Sequence, residues 1–194
     1  MTSLKEYAKT HQVPIIQEEG LVFLLKTIQE HHCKHILELG SAIGYSAIQM
    51  AKLDKDIKIV TIEKKEELYH QAKKNIAQEH LQDQITIHNR NIDDFETDSL
   101  FDFIFVDAAK AQYGKYLEKF KKNLAQGGIF FFDNLAFHGL VKHPELCKSR
   151  NTRQLVKKIK KFVEETLEHP NYSCNYYPDI GDGIMILKIK ENTL

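Results

Sequence analysis

The chain has 194 residues, of which 42% are apolar and 28% are charged, and these proportions are typical of a globular protein in water. Such a length predicts one domain spanning residues 1–194. Lysine plus arginine equals aspartate plus glutamate, at 27 each. This balance argues against a protein that coats nucleic acid through bulk charge, but it permits a local basic surface.

The sequence shows no segment that would direct the chain to a membrane or out of the cell. No apolar run is long enough to span a bilayer, and the first seven residues lack the apolar core of a signal peptide. The three cysteines, Cys33, Cys147 and Cys174, are odd in number and have no paired spacing, which favours a reducing compartment. We therefore expect a cytoplasmic protein without a membrane partner.

Predicted helices and strands alternate along the chain. Apolar residues at helical spacing predict helices over residues 2–12, 17–31, 45–53, 65–80, 112–124 and 152–167. Short apolar runs predict strands at residues 35–39, 57–62, 84–88 and 101–106, after Gly127-Gly128, and at residues 172–177 and 183–189. We expect the glycine pair to stop the preceding helix and open the fifth strand. This order predicts an α/β doubly wound, Rossmann-like sheet, mostly parallel, with an antiparallel C-terminal hairpin at one edge.

A glycine-rich turn follows the first predicted strand. The apolar run Ile36-Leu37-Glu38-Leu39 leads into Gly40, and Gly44 follows after three residues. Glycine permits a tight turn and a close ligand, and the helix that follows begins with free N–H groups. Glu63 ends the next strand, at the distance typical of an acid that binds ribose hydroxyls. The turn therefore indicates a nucleotide-like cofactor, with a structural turn that holds no ligand as the alternative.

Acidic and amide side chains follow two further predicted strands. Asp107 ends one apolar strand, and Asp133-Asn134 end the next. The carboxyl ends of parallel strands meet at one edge of a sheet, so we expect these side chains to lie together. Their oxygens form a hard ligand set that suits Mg²⁺. The alternative is that Asp133-Asn134 only begin a turn.

Several motifs, in order and over nearly the whole chain, resemble the metal-dependent catechol/caffeoyl-CoA type O-methyltransferase family. They are Val13-Pro14-Ile15-Ile16, Ser41-Ala42-Ile43-Gly44-Tyr45-Ser46, Phe105-Val106-Asp107-Ala108-Ala109-Lys110, Phe132-Asp133-Asn134 and Gly181-Asp182-Gly183. The resemblance implies S-adenosyl-L-methionine and Mg²⁺ as cofactors, a homodimer, and a methyl transfer to a hydroxyl. Cation binding would make that hydroxyl easier to deprotonate.

The resemblance also implies roles for individual residues. Asp107, Asp133 and Asn134 would bind the metal, Lys110 and Asp107 would be catalytic, and Lys110 would accept the proton of the substrate. The cofactor would contact Ile16, Glu38, Gly40, Ser46, Glu63, Asn91, Ile92 and Asp107. The alternative for Lys110 is a solvated surface lysine, and Ile16 could equally belong to the core.

Eight basic residues fall within residues 142–161, against the single acid Glu145. Lys142, Arg150 and Arg153 could contact phosphates at the proposed site, and a solvated helix face is the alternative. The motifs are most similar to the bacterial branch of the family that methylates 5-hydroxyuridine at the tRNA wobble position, which implies the anticodon loop as partner.

Two other functions stay open at this point. One is the same chemistry on a small catechol-like or phenylpropanoid acceptor. The other is a nucleotide-binding protein of NAD type or without catalysis, although the chain lacks the G-x-G-x-x-G fingerprint of dinucleotide binding.

Overall fold

The computed structural model describes residues 4–190. It contains six helices and seven strands in this part of the chain. The helices are α1 Leu4–Thr10, α2 Glu18–Glu30, α3 Tyr45–Ala51, α4 Glu66–Gln78, α5 Tyr113–Phe120 and α6 Arg150–Glu168. The strands are β1 His35–Leu39, β2 Lys58–Glu63, β3 Ile85–Asn89, β4 Phe101–Val106, β5 Leu124–Phe132, β6 Tyr172–Tyr177 and β7 Ile184–Ile189. Residues 2 and 3 of the first predicted helix lie outside the described residues.

The strands form a single sheet in the order β3-β2-β1-β4-β5-β7-β6. β1 to β5 are parallel, and β7 is antiparallel to both β5 and β6. The predicted Rossmann-like α/β fold with an antiparallel C-terminal hairpin is therefore confirmed. The strand order reverses between β1 and β4, which is where doubly wound sheets open a crevice at their carboxyl edge.

The sheet is buried on both faces, because helices cover each side. Along β4, Phe103 and Phe105 pack into the apolar layer that includes α2 and α3. Ile104 and Val106 point the other way, into the layer that includes α5 and α6. This alternation explains why the central strands are continuous apolar runs in the sequence. Among residues 4–190, none of the helices combines the length and apolar character needed to cross a bilayer.

The prediction for Gly127-Gly128 is wrong, because these glycines lie inside β5 and not at its start. The strand begins at Leu124, which pairs with Phe101 of β4, and the register then shifts so that Ile129 pairs with Phe103. The intervening residues form a bulge, and Gly127 adopts a left-handed φ of +74° within it. Helix α5 ends earlier, at Phe120.

Gly40 is required where the ends of β1 and β4 meet. Its φ is +99°, and a Cβ at this position would lie 2.3 Å from the carbonyl oxygen of Asp107. The same contact is reinforced by the N–H of Asp107, which donates to the carbonyl of Leu39 at 3.1 Å. A side chain at Gly40 would therefore separate the two strands at the mouth of the crevice.

We expect Gly40→Ala to lower the free energy of unfolding by about 3 kcal/mol or more, since it adds a backbone clash to a strained conformation. Gly127→Ala is the matched control, because Gly127 is also left-handed but has no atom within 4 Å of the added Cβ. It should lose only about 1–2 kcal/mol. Urea unfolding without ligands measures both, and equal losses would contradict the role of the clash.

Candidate active site

A cavity of about 380 Å³ opens at the carboxyl edge of the sheet, within the size range of small-molecule sites. Residues at the ends of β1 to β5 line it, so every parallel strand contributes to its wall. Seven of the predicted site residues border this cavity: Gly40, Glu63, Asn91, Ile92, Asp107, Lys110 and Asn134. The structure thus brings together residues that are up to 94 positions apart in the chain.

One end of the cavity is built around Glu63, at the end of β2. Its Oε2 accepts a hydrogen bond from the N–H of Ala42 at 3.0 Å, and its Oε1 accepts one from the N–H of Lys65 at 2.8 Å. These bonds fix the carboxylate, and each oxygen keeps a lone pair for a hydroxyl donor. Asn91 and Ile92 line the same cavity after β3. This arrangement suits a ribose and its attached base.

Glu38 lies behind the glycine turn and is fully buried. The hydroxyls of Ser46 and Thr61 each donate to its carboxylate. Burial raises the pKa of Glu38 to about 7, although these two hydrogen bonds oppose the shift. Neither Glu38 nor Ser46 is among the residues lining the cavity. In this structure they connect β1, β2 and the start of α3, and their contact with a cofactor stays a prediction.

The segment before α2 contributes two residues to the cavity wall, and neither is the predicted Ile16. Pro14 and Ile15 line the cavity, whereas Ile16 is buried and packs beside Gly20 of α2. The sequence motif identified the right segment, but it could not tell which of its residues points toward the ligand. Leu68 and Tyr116 also line the cavity, and no signal in the sequence separates them from ordinary core residues.

Asp107, Asp133 and Asn134 come together at the ends of β4 and β5. Val106 and Phe132 pair across these strands, which places the two aspartates next to each other. The Asn134 side-chain Nδ2 donates to Asp107 Oδ1 at 2.8 Å, and its backbone N–H donates to Asp133 Oδ1 at 2.7 Å. Asn134 adopts a left-handed φ of +64° to make both contacts.

Both aspartates are costly to ionise in this position. Burial raises the pKa of Asp107 against the opposing charge of Lys110. Burial and the neighbouring Asp107 raise the pKa of Asp133 to about 7. A divalent cation would relieve the repulsion between the two carboxylates.

The chemistry of this cluster fits Mg²⁺, which prefers oxygen ligands and usually keeps several waters. Within residues 4–190, no group of three His, Cys, Asp or Glu side chains is placed to hold a metal ion. The amide oxygen of Asn134, the third predicted ligand, would face Asp107 if the amide were turned by half, because its nitrogen now donates to Asp107.

Lys110 lies at the edge of the same cluster. It begins the short turn Lys110–Gln112 after β4, lines the cavity and is half-buried. Among the described residues its ammonium group has no hydrogen-bond or ion-pair partner, although its charge acts on both Asp107 and Asp133. An amine in this position is free to exchange a proton with a bound ligand.

Tyr113 holds the acidic cluster in place through Asp133, and the sequence analysis did not identify it as a site residue. Its hydroxyl donates to the carbonyl of Asp133 at 2.7 Å, and its ring packs against Phe132 and Phe162. It follows Lys110 by three residues, so a single short segment carries the half-buried amine and fixes Asp133. This spacing is the signal that could have identified it.

The predicted phosphate-binding residues lie outside the cavity. Lys142 is exposed in the loop after β5, and Arg150 is exposed at the start of α6. Arg153 donates from Nη1 to the carbonyl of Cys147 at 3.0 Å. α6, which carries Arg150 and Arg153, packs against the turn Lys110–Gln112 and so borders the site.

Residues 1–190 match the family described as O-methyltransferase. The caffeoyl-CoA O-methyltransferase of Populus kitakamiensis is 30% identical, over 95% of this chain and 81% of its own. The chain belongs to the S-adenosylmethionine-dependent O-methyltransferase family. A Staphylococcus aureus protein, provisionally assigned as a caffeoyl-CoA O-methyltransferase, has a structure with a TM-score of 0.91 and 37% identity. The alignment covers 96% of this chain and 90% of that one.

The O-methyltransferase of Bacillus cereus was solved in complex with SAH, and it is 26% identical with a TM-score of 0.80. The match covers 96% of this chain and 88% of that one. Family membership supports an enzyme that uses S-adenosylmethionine, and it replaces the alternative of an NAD-type or non-catalytic nucleotide-binding protein.

The buried Glu38 predicts a distinct pH dependence of stability in this methyltransferase. Its folded pKa of about 7 lies above the ordinary value of 4.5, so the folded state binds more protons than the unfolded state between these values. The free energy of unfolding should therefore fall as pH rises through this window.

We expect Glu38→Gln to remove this part of the slope, which amounts to roughly 3 kcal/mol across the window. Denaturant unfolding at several pH values, in chelator, measures it. Asp133 contributes to the pH dependence in both the wild type and the variant. The difference between their two curves of unfolding free energy against pH therefore gives the contribution of Glu38. Parallel curves would show that Glu38 does not titrate with a raised pKa.

Proposed function

We propose that this enzyme methylates the 5-hydroxyl of 5-hydroxyuridine at the wobble position of tRNA, in a Mg²⁺-dependent reaction that gives 5-methoxyuridine. The observation that carries the choice of acceptor is the basic surface beside the site, formed by residues 142–158. The tRNA base would have to be unstacked to enter the cavity, with the backbone phosphates of the anticodon loop on this surface.

The basic surface contains six side chains without an acidic partner among the described residues. They are Lys142, Lys148, Arg150, Arg153, Lys157 and Lys158. The next two lysines of α6 differ, because Lys160 pairs with Glu164 at 3.7 Å and Lys161 pairs with Glu165 at 3.5 Å. Unpaired positive charge is therefore concentrated toward the start of α6, and this helix packs against the turn that begins at Lys110. Lysine and arginine on such a surface attract phosphates and release counterions from nucleic acid.

The cofactor assignment within the cavity rests on its polar and apolar walls. Glu63 would accept hydrogen bonds from the ribose, and Asn91 and Ile92 would border the adenine. Gly40 also lines the cavity, and the methionine end would lie beside its backbone. S-adenosylmethionine supplies the methyl group, and the protein contributes by orienting it toward the acceptor.

The acceptor would lie between Lys110 and the acidic cluster. Asp107, Asp133 and Asn134 would hold Mg²⁺, which would lower the pKa of the acceptor hydroxyl and stabilise the oxygen that attacks the methyl group. Lys110 would accept the hydroxyl proton, since its amine lines the cavity and has no other partner among residues 4–190. The half-buried position of Lys110 would limit competition from water.

A small acceptor is the second candidate, and the similarity to caffeoyl-CoA O-methyltransferases supports it. A catechol-like or phenylpropanoid ring also presents neighbouring oxygens to a cation. The phosphates of a coenzyme A ester could occupy the same basic surface. The two candidates therefore share the cavity chemistry and differ in the acceptor.

The deciding experiment follows methyl transfer from labelled S-adenosylmethionine to three acceptors: tRNA containing 5-hydroxyuridine, caffeoyl-CoA and a simple catechol. Each is assayed with Mg²⁺ and with chelator. Labelling of tRNA alone, lost in chelator, is the expected result. Labelling of either small acceptor alone would overturn the tRNA proposal and leave the cavity assignments intact.

Removing unpaired charge from the basic surface should weaken tRNA binding more than removing paired charge. We expect Arg150→Ala/Lys157→Ala to reduce the slope of log affinity against log salt by about 1.4, the value for two contacts to a single-stranded loop. Lys160→Ala/Lys161→Ala is the matched control, because both lysines already have glutamate partners. Filter binding over a salt series measures both variants. An equal loss in both would indicate bulk charge and no defined contact surface.

Lys110→Met should lower kcat by about 10²–10⁴-fold, as expected for the loss of a proton acceptor. Lys115→Met is the control, since Lys115 is a nearby lysine that pairs with Asp93 at 2.7 Å. Binding of S-adenosylmethionine, measured separately by calorimetry, should change little in either variant. An unchanged kcat in Lys110→Met would show that another group takes the proton.

A further inference from the structure

The segment 133–138, which follows β5 and includes two of the proposed metal ligands, has an unusual backbone. Asn134, Phe137 and His138 adopt left-handed φ values of +64°, +47° and +56°. Such conformations are unfavourable for residues other than glycine, and they persist where the surrounding structure imposes them. Something outside this segment must therefore hold it.

The turn between β6 and β7 makes the contacts that hold the segment. The N–H of Leu135 donates to the carbonyl of Gly183 at 2.9 Å, and the N–H of Ala136 donates to the carbonyl of Asp182 at 2.6 Å. The N–H of His138 donates to the carboxylate Oδ1 of Asp182. Asp182 thus supplies two of the three acceptors, one from its backbone and one from its side chain.

The turn is built to approach this segment closely. A Cβ on Gly183 would lie 2.4 Å from the nitrogen of Ala136, and a Cβ on Gly181 would lie 3.2 Å from the Cα of Gly20 in α2. Both glycines have positive φ values, of +84° and +57°. The flanking glycines therefore allow Asp182 to sit between α2 and the segment after β5.

The side chain of Asp182 is buried, with 5% of it exposed. Its Oδ2 has no hydrogen-bond partner among the described residues, and the nearest basic atom is Nδ1 of His138 at 3.7 Å. A buried carboxylate with one unsatisfied oxygen destabilises a fold, so it usually persists for another reason. Its charge also acts on Asp107 and Asp133, which places it in the neighbourhood of the acidic cluster.

We propose that Asp182 is a positioning residue for the cation site, and that its hydrogen bond to His138 keeps Asn134 in the left-handed conformation that brings its amide to Asp107. This inference rests on the proposed cation site. Asp182 does not itself contact the cofactor or the acceptor in this role. Tyr113 holds the other end of the segment through the carbonyl of Asp133, so the ligand pair is restrained from both sides.

The hydrogen bond and the charge of Asp182 can be separated by two substitutions. Asp182→Asn retains an oxygen that accepts from the N–H of His138 but removes the charge. Asp182→Ala removes both. If the hydrogen bond positions Asn134, the asparagine variant should keep the geometry of the site and the alanine variant should lose it.

The test measures the affinity of the proposed site for Mn²⁺, which serves as a spectroscopic probe in place of Mg²⁺. Bound Mn²⁺ is detected in a titration by the loss of the electron paramagnetic resonance signal of the free ion. We expect Asp182→Ala to weaken Mn²⁺ binding by about 10–100-fold, as for other residues that orient metal ligands, with Asp182→Asn within about threefold of wild type. Binding of S-adenosylmethionine in chelator serves as the internal control and should be unchanged in both variants, since Glu63 and Asn91 lie in a part of the cavity that Asp182 does not contact.

Each other outcome is informative. Wild-type Mn²⁺ affinity in Asp182→Ala, or equal weakening in both variants, would overturn the positioning role. Loss of S-adenosylmethionine binding and of folding in Asp182→Ala would also overturn it, because Asp182 would then support the whole fold. Failure of the wild-type protein to bind Mn²⁺ would instead remove the proposed cation site, and with it the role of Asp182.

Discussion

The close contact between the ends of β1 and β4 is the constraint on which the site depends. The Cα of Gly40 lies so near the carbonyl of Asp107 that no side chain fits between them. Hydrogen bonds from Gly40 to Ile62 and from Asp107 to Leu39 join three strand ends at this point. Asp107 consequently lines the cavity beside Gly40 and also accepts a hydrogen bond from Asn134, so one residue joins the cavity wall to the acidic cluster.

Burial of the sheet on both faces makes its carboxyl edge an unfavourable place for charge, yet four acids lie there: Glu38, Glu63, Asp107 and Asp133. Their hydrogen bonds distinguish their roles. Each carboxylate oxygen of Glu38 accepts a hydrogen bond from one hydroxyl, so the carboxylate has hydrogen-bond partners without a ligand. Asp107 and Asp133 share a single neighbouring residue, Asn134, as side-chain and backbone donor, and the charge of Asp107 adds to burial in raising the pKa of Asp133. The first arrangement stabilises a turn, whereas the second leaves two carboxylates side by side, as the proposed cation site requires.

Much of the fold could be predicted because it is encoded by local periodicity. The strands at 35–39, 101–106 and 172–177 have the predicted bounds, since each is an apolar or alternating run flanked by polar residues. The bulge at Gly127-Gly128 could not be predicted, because it depends on the pairing of Leu124 with the distant Phe101. The face of the sheet on which Glu38 lies could have been predicted. Alternation along β1 puts it on the same face as Ile36, in the layer that contains α3, so its side chain meets Ser46 and not the cavity.

The positions of α6 and of the segment after β5 were harder to predict, because they depend on contacts between segments far apart in sequence. The basic residues of α6 stand out in the sequence, but Glu164 and Glu165 lie just beyond residues 142–161. Their spacing of four residues pairs them with Lys160 and Lys161. Long-range packing against the turn that begins at Lys110 brings α6 beside the site. The same holds for the segment after β5, whose left-handed residues are held by a turn about 45 positions later in the chain. Local pattern therefore determines where the strand ends that line the cavity lie, whereas long-range packing places α6 and the segment after β5 beside them.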